Sequence, residues 1–345
     1  MIKTTERKRL KFNNDYIYLS RNMIVDPHPN HIHECLLKTF KAEDLTRYPD
    51  LWKPYEVLGD HLGVKQDQLL ITRGVEGSIR QLYETFNLDG KTTGVIVPTY
   101  AMYHVYSHTY NTNLVPIKGE APDYKITVRQ IKELVPSLDI LFLVNPSAHL
   151  ANCFTDEELE DIIEFCNSLG VIVFLDEVYA GWEKPSYIPH LGKHDNLIIS
   201  SGFSKMGMPS IKTGWLVTNK KLKKKLESTR SSYELDYFSC KSLEFIIDNQ
   251  EYFETFKKRL LEAKKRWLEK LSSTGDFKVY DSALYTLRIY SENEDLIKRL
   301  YDSLYAKKIV VHIEDKVNLT FAVCMDKEIE DDFFEAVNKG IYNKL

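Results

Sequence analysis

The chain alternates between short apolar runs and longer segments of mixed polarity. From about residue 55 the apolar runs fall at 69–72, 94–97, 114–117, 140–144, 171–175, 197–200 and 215–218. Several are rich in Val and Ile and are bordered by Gly, Pro or Asn, which predicts buried strands. Helical stretches separate them, among them 76–86 and 156–168. Thr155 is placed to cap the second, Glu158 completes a capping box and Gly170 stops it. Regular alternation of strand and helix predicts an α/β fold with a mostly parallel sheet covered on both faces.

After residue 219 the texture changes. Residues 220–230 form a basic helical run and 252–271 a long amphipathic one. Strand-like pieces at 283–289, 309–313 and 317–323 lead into an acidic helix at 327–337. These features predict a smaller α+β domain made of residues 226–345 together with 1–44. It would sit beside a large α/β domain of residues 45–225. A Pro/His-rich turn, Asp26-Pro-His-Pro-Asn-His-Ile-His33, lies in the N-terminal part.

Composition narrows the function classes. The 345 residues suffice for two domains, and 43% hydrophobic with 28% charged residues is ordinary for a soluble globular protein. A net charge of −4 argues against nucleic-acid binding, so the basic runs read as solvated helix faces. No apolar run approaches the length of a membrane span. The opening Met1-Ile-Lys-Thr-Thr-Glu-Arg-Lys-Arg-Leu10 has the charge of a signal peptide without its apolar segment. Cys35, Cys153, Cys166, Cys240 and Cys324 are scattered without a C-x-x-C pair, which predicts reduced thiols and a cytoplasmic location.

The candidate chemistry gathers at strand ends. In parallel sheets, ligands bind outside the carboxyl ends of the strands. Asp176 ends one predicted strand, and Lys205 follows the next. A lysine that can form a Schiff base, with a carboxylate able to keep a pyridine nitrogen protonated, suggests a pyridoxal phosphate site. Thr72-Arg-Gly-Val-Glu-Gly-Ser78 joins a strand to a helix, so the backbone N–H groups of Gly74, Val75 and Glu76 can cradle a phosphate. Tyr100, Asn145, Tyr179 and Lys212 also fall at strand ends. Each has an ordinary structural reading when taken alone; their joint placement points to one site. His104 and His108, four apart on a helix, read as a packed face rather than a metal site, and no metal is expected. His28, His31 and His33 read as part of a turn beside the site. The G-x-S-x-G elbow of a hydrolase is absent.

The pieces Arg47-Tyr-Pro-Asp50, Thr72-Arg-Gly74, Pro98-Thr-Tyr-Ala-Met-Tyr103, Asn145-Pro146, Asp176-Glu-Val-Tyr179 and Phe203-Ser-Lys205 through Gly214-Trp215 come in a familiar order. Over roughly residues 16–325 the chain resembles the fold-type I, pyridoxal phosphate-dependent class I/II aminotransferases, in particular the histidinol-phosphate aminotransferase group. The resemblance implies that Lys205 binds the cofactor covalently and shuttles a proton. It implies that Asp176 pairs with the ring nitrogen, Tyr179 bonds the phenolic oxygen and Tyr100 stacks on the ring. Gly74, Val75, Glu76, Ser204 and Lys212 would surround the phosphate, with Asn145 nearby. Tyr48 would reach the partner's site in a homodimer.

Four positions depart from the family pattern. Ala148 stands where an asparagine donates to the phenolic oxygen, with Ser147, His149 and Asn152 as substitutes, or Tyr179 acting alone. Lys212 replaces a phosphate-binding arginine, and Gly202 a serine or threonine, with Ser201 displaced by one. Asn318 replaces the arginine that grips a substrate carboxylate. Arg21 is the first substitute for that arginine and Arg230 the second, and Asn22 and Asn318 join them as candidate substrate-binding residues. The expected function is a ping-pong aminotransferase taking an amino group from an amino acid, glutamate by analogy, to a small carbonyl acceptor that carries phosphate. Two other readings stay open: a decarboxylase or lyase on the same cofactor, and a catalytically silent cofactor-binding relative.

Overall fold

Each apolar run of the first two-thirds of the chain becomes a strand. In this computed structural model, which describes residues 11–86, 88–151 and 153–342, the strands are β1 (Ile17–Tyr18), β2 (Leu69–Thr72), β3 (Thr92–Val97), β4 (Asn113–Lys118), β5 (Ile140–Val144), β6 (Ile172–Asp176), β7 (Leu197–Gly202), β8 (Gly214–Thr218), β9 (Lys278–Asp281), β10 (Thr286–Tyr290), β11 (Ile309–Val310), β12 (His312–Asp315) and β13 (Asn318–Ala322). The helices are α1 (Asn30–Leu37), α2 (Trp52–Leu62), α3 (Gly74–Thr85), α4 (Met102–Thr109), α5 (Val128–Leu134), α6 (Asp156–Ser168), α7 (Lys220–Leu226), α8 (Tyr237–Asp248), α9 (Gln250–Ser272), α10 (Glu294–Ala306) and α11 (Lys327–Tyr342). The N-terminal decapeptide and Asn152 lie outside the described residues.

Among the described residues the larger sheet has seven strands in the order β2-β8-β7-β6-β5-β3-β4. All its pairings are parallel except those of β8, which runs antiparallel to β2 and β7. Alternate residues face opposite ways. Leu70, Val95, Phe142, Phe174, Ile198 and Leu216 pack with α3, α4 and α7. Ile71, Ile96, Leu141, Val173, Ile199 and Val217 pack with α2, α5 and α6. Full burial of such a side chain contributes roughly 1.5–3 kcal/mol, and a one-residue slip would exchange the two sets. Helix α6 starts at the expected capping box, in which the Glu158 N–H donates to Thr155 Oγ1 at 3.2 Å.

The smaller sheet is antiparallel, in the order β12-β13-β10-β9. Trp267 of α9, Leu300 of α10 and Phe333 of α11 cover Leu319 and Phe321 on one face. Leu19 packs in the same cluster and β1 pairs with β11, so the N-terminal segment runs along this layer.

Several expectations change. The 283–289 run becomes a strand only from Thr286, because Ser282 folds the chain back: its Oγ donates to Thr286 O at 2.6 Å and accepts from Leu284 N at 3.2 Å. The 309–313 run divides, since β11 pairs with β1 while β12 pairs with β13. Ile32 and Leu36 of α1, together with Leu235, Leu243 and Phe253, enter the core beneath the larger sheet. Segments 30–37 and 235–253 therefore pack there rather than with the smaller sheet. His31 and His33 lie exposed on α1 instead of in a turn, and His104 and His108 are exposed on α4 instead of packed. Among the described residues no helix is long and apolar enough to cross a membrane.

One steric feature aligns the site. Gly202 and Gly214 face each other across β7 and β8. A Cβ on Gly214 would lie 2.6 Å from Gly74 Cα, and one on Gly202 would lie 2.8 Å from Thr213 O. The serine or threonine of the family pattern has no room at 202 as the strands stand. The absent side chains let β8 press against the start of α3.

Candidate active site

Asp176 closes β6 at the centre of the larger sheet and is 3% exposed. Its Oδ2 accepts from the Tyr103 hydroxyl at 2.8 Å, and its Oδ1 from the Val178 N–H at 3.0 Å. Burial pushes this carboxyl up to about 6, against the pull of those two hydrogen bonds and of Lys205. Tyr103 is wholly buried and held well above the usual phenol range, chiefly by burial, so it remains a donor.

Lys205 lies in the short turn Phe203–Met206 that follows β7. Its Nζ donates to Arg21 O at 3.3 Å and to Asn22 O at 3.2 Å. Burial draws the ammonium down to about 8; Asp176 opposes the shift and Lys212 adds to it. Gly207 closes the turn at φ +90°, and a Cβ there would meet His28 Nε2 at 2.8 Å. His28 bridges Gly207 O at 3.0 Å and the Tyr252 hydroxyl at 2.8 Å, so it does sit beside the site.

Tyr179 is 6% exposed, its hydroxyl oxygen accepting from Asn22 Nδ2 at 2.8 Å. The Lys205 Nζ stands 5.7 Å from the Tyr179 ring centre. Burial raises this phenol too, against the Asn22 hydrogen bond. The next residues after Asp176 brace the loop: Glu177 accepts from the Ser186 hydroxyl and from Tyr187 N, the latter at 2.6 Å.

The start of α3 forms another wall. Gly74 has φ +68°, and Arg73 makes no side-chain cap, so the first-turn N–H groups of Gly74, Val75 and Glu76 are not capped by it. The Glu76 carboxylate lies here, 3.5 Å from Lys212 Nζ and 3.4 Å from the hydroxyls of Tyr100 and Tyr106. Tyr100 is half-exposed at the edge of the cleft, and Ser204 is partly buried beside Lys205.

Other predicted residues are engaged elsewhere. Asn145 Oδ1 accepts from Phe154 N at 2.7 Å and its Nδ2 reaches Phe154 O at 3.4 Å, so its side chain closes the 145–154 loop. Ala148 is buried in one cluster with Leu19 and Tyr179. Ser147 Oγ accepts from Leu150 N at 3.4 Å, His149 meets His312 edge-on at 5.9 Å, and Ser201 donates to Glu177 O at 2.8 Å. Asn318 has no amide hydrogen left for a carboxylate. Its Nδ2 donates to Tyr124 and to Asp315, both at 2.9 Å, while Arg288 donates to its Oδ1 at 2.9 Å. Arg230 is paired with Glu234 at 2.8 Å. The Arg21 guanidinium lies over the Phe12 ring at 4.6 Å. Tyr48 is 78% exposed and stacks on Tyr233 at 4.5 Å. The sequence reading passed over Tyr103, although it lies one helical turn from Tyr100 within a matched piece. It also missed Tyr285, whose hydroxyl donates to Asn22 O at 2.7 Å and which only the fold brings here.

With this geometry in hand, the comparisons are specific. The model of the "Aminotransferase class I and II" family matches residues 40–331. The chain belongs to that family. It is similar to the histidinol-phosphate aminotransferase of Buchnera aphidicola subsp. Cinara cedri (strain Cc), with 27% identity over 300 residues, 83% of this chain and 82% of that protein. Among solved structures, the histidinol-phosphate aminotransferase from Clostridium acetobutylicum superposes with a TM-score of 0.84 at 20% identity, covering 95% of this chain and all of that one (100%). The Sinorhizobium meliloti histidinol-phosphate aminotransferase in complex with pyridoxal-5'-phosphate gives 0.82 at 15% identity, covering 94% and 90%. L-threonine-O-3-phosphate decarboxylase from Porphyromonas gingivalis gives 0.79 at 15%, covering 95% and 100%. These likenesses identify the fold.

The downward shift of Lys205 has a direct readout. Below about pH 8 its nitrogen is an ammonium, and above it a free amine. In protein treated with hydroxylamine to release any bound carbonyl compound, acetic anhydride should modify Lys205 with a midpoint near that pH. Exposed lysines should follow near their ordinary value of about 10.4. Peptide mass spectrometry across the pH range checks it; a Lys205 midpoint no lower than that of the exposed lysines contradicts the buried environment.

Proposed function

We propose that this chain is a pyridoxal phosphate-dependent aminotransferase acting on a phosphorylated carbonyl acceptor. The observation that carries the reading is a lysine and a buried carboxylate at the ends of neighbouring parallel strands, with the Lys205 Nζ 5.7 Å from the Tyr179 ring centre. The residues fit the cofactor. A carboxyl held near 6 in a dry pocket gains most from a cationic partner such as a protonated ring nitrogen. A Cβ at Gly214 would press on the backbone at the start of α3, where the phosphate would meet uncapped N–H groups. Pyridoxal phosphate supplies, when bound, an electron sink for the carbon that carries the amino group.

The chain's own residues do the rest. Lys205 would hold the cofactor, and its Nζ would take and return the substrate's proton. Asp176 keeps the ring nitrogen protonated, with Tyr103 fixing its Oδ2. Tyr179 donates to the phenolic oxygen. Lys212 would supply positive charge to the phosphate as a point charge rather than an arginine fork, and Tyr100 would stack on the ring. Spectra test this reading. The purified protein should absorb in the visible, borohydride should abolish the band, and Lys205→Ala should lack it; a colourless wild type that cannot be reconstituted sinks the cofactor assignment.

For the amino donor, glutamate, the α-carboxylate needs a cation, which the neutral amide of Asn318 does not supply. Arg21 is preferred over Arg230 because Glu234 neutralises the latter, and because the Arg21 carbonyl already touches Lys205. Arg21→Ala should raise the KM for glutamate about tenfold or more with little change in kcat, since a charge-assisted bond contributes about 1.5–3 kcal/mol. An unchanged KM moves the role to Arg230. In the same assay, carbon dioxide released without any keto acceptor would favour the decarboxylase reading.

The partner is a second copy of the chain. Leu45, Tyr48 and Trp52 are 90%, 78% and 69% exposed, and the stacked pairs Tyr48–Tyr233 and Phe40–Phe238 extend the same apolar patch. Covering it would bring Tyr48 to the partner's site. Light scattering should give twice 40.3 kDa; a mass of one chain at micromolar concentration rules the dimer out.

A further inference from the structure

Among the described residues, the Tyr179 hydroxyl proton has no acceptor, and the one hydrogen bond at the hydroxyl oxygen is accepted, from Asn22 Nδ2 at 2.8 Å. Burial keeps the phenol protonated, so its O–H is left to point at something else in the cleft beside Lys205 and Asp176. Under the cofactor reading above, on which this inference rests, that acceptor is the phenolic oxygen of pyridoxal phosphate.

Among the described residues, no hydrogen bond joins the 145–154 loop to the Tyr179 hydroxyl. Ala148 has no donor, Ser147 is turned to Leu150, and the His149 ring lies against His312. Asn22 instead arrives from the N-terminal segment, in one cluster-bounded corner where Leu19, Ala148 and Tyr179 pack together. It is held there independently of the cofactor. Its carbonyl accepts from Tyr285 at 2.7 Å, and Tyr285 is fully buried. Its φ of +49° lies in the left-handed region, which asparagine tolerates better than other side-chain-bearing residues. With Lys205 holding the cofactor, the Tyr285 bond would still hold the Asn22 backbone carbonyl in place.

We propose that Asn22 is a positioning residue for the cofactor: by donating Nδ2–H to Tyr179 Oη it directs the tyrosine's own proton onto the phenolic oxygen, taking over from the asparagine missing at Ala148. The substitution is made from another segment and acts through the tyrosine rather than on the ring. It also ties the site to the smaller sheet, because Tyr285 stands just before β10 while Tyr179 follows β6.

The consequence is spectroscopic. A donor on the phenolic oxygen draws off negative charge and weakens that oxygen's hold on the proton of the nitrogen linking Lys205 to the cofactor. The visible band changes with that proton. Losing the Asn22 amide frees the Tyr179 hydrogen, so the transition moves to higher pH. Asn22→Gly, which preserves the positive φ, should raise the midpoint by about 1 pH unit, the equivalent of one hydrogen bond. Tyr179→Phe should shift it the same way, and Asn22→Gly should add nothing further in that background. Ala148→Asn should return the midpoint of Asn22→Gly toward wild type. If Asn22→Gly folds poorly by circular dichroism, Asn22→Ala supplies the same amide deletion. A wild-type midpoint in an amide-deleted variant, or a shift that adds to that of Tyr179→Phe, overturns the role of Asn22 while the band itself upholds the cofactor. A wild type with no band overturns both.

Discussion

A carboxylate buried at the end of the central strand constrains everything around it. Taking an unpaired carboxylate out of water costs several kcal/mol. The larger sheet meets that cost with Tyr103 from α4 on one oxygen and the Val178 N–H on the other. Those bonds do not cancel the desolvation, and Asp176 stays well above the usual carboxylate range. A group in this state is stabilised by a cation, and only β7, the parallel neighbour on one side, brings Lys205 near it. Burial disfavours charge on both groups, so each gains from the other. The antiparallel turn of β8 back over β7 then carries Lys212 to the start of α3, and the glycines at 202 and 214 permit the approach.

The second constraint is that the two sheets meet at this point. Segment 19–28 is stitched to both sides. Leu19 O accepts from Ala322 N at 2.9 Å, Asp26 Oδ1 accepts from Met325 N at 2.8 Å and Asp326 N at 3.0 Å, and His28 holds Gly207. The loop after Tyr179 is stitched as well. Trp182 packs on Tyr285 at 4.5 Å, and Lys264, 1% exposed, reaches Glu183 at 3.0 Å and Asp281 at 2.8 Å. Tyr179 is thus clamped from the side of the smaller sheet as firmly as from its own.

Much of this was legible in the residues. Strand-forming Val and Ile runs bury on both faces, so their positions survive without knowledge of partners, and the capping box at Thr155 is a purely local device. Asp176, Tyr179 and Lys205 stood out through their joint placement at the ends of predicted strands, and the fold brings them close. What escaped depends on long-range contact. Helices α8 and α10 and strand β9 were also missed, although Asp236 caps α8 and Asn293 caps α10. Ser282 ends the apolar run before β10 through a bond to Thr286. Tyr285 and Asn22 are separated by 263 residues and meet only when β10 lies beside the N-terminal segment. Asn145, by contrast, looked like a ligand contact because a loop-closing amide and a cofactor-binding one have the same local sequence.

The departure at Asn318 has a physical counterpart on the neighbouring strand. The family resemblance puts an arginine at 318, but Arg288 of β10 fills that space here. Its guanidinium is 1% exposed, bonded to Asn318 Oδ1 and Pro122 O at 2.9 Å, and stacked 4.0 Å from the Tyr280 ring. A second guanidinium at 318 would place two like charges side by side without water between them. The amide is the side chain that accepts from Arg288 on one atom and serves Asp315 and Tyr124 from the other. The positive charge has therefore moved one strand over and been covered by residues 122–124. A cation spent on backbone carbonyls and an amide cannot also close on a substrate carboxylate. Under the proposed function the grip on a substrate carboxylate falls to another cation, and the segment already supplying Asn22 to Tyr179 also carries Arg21.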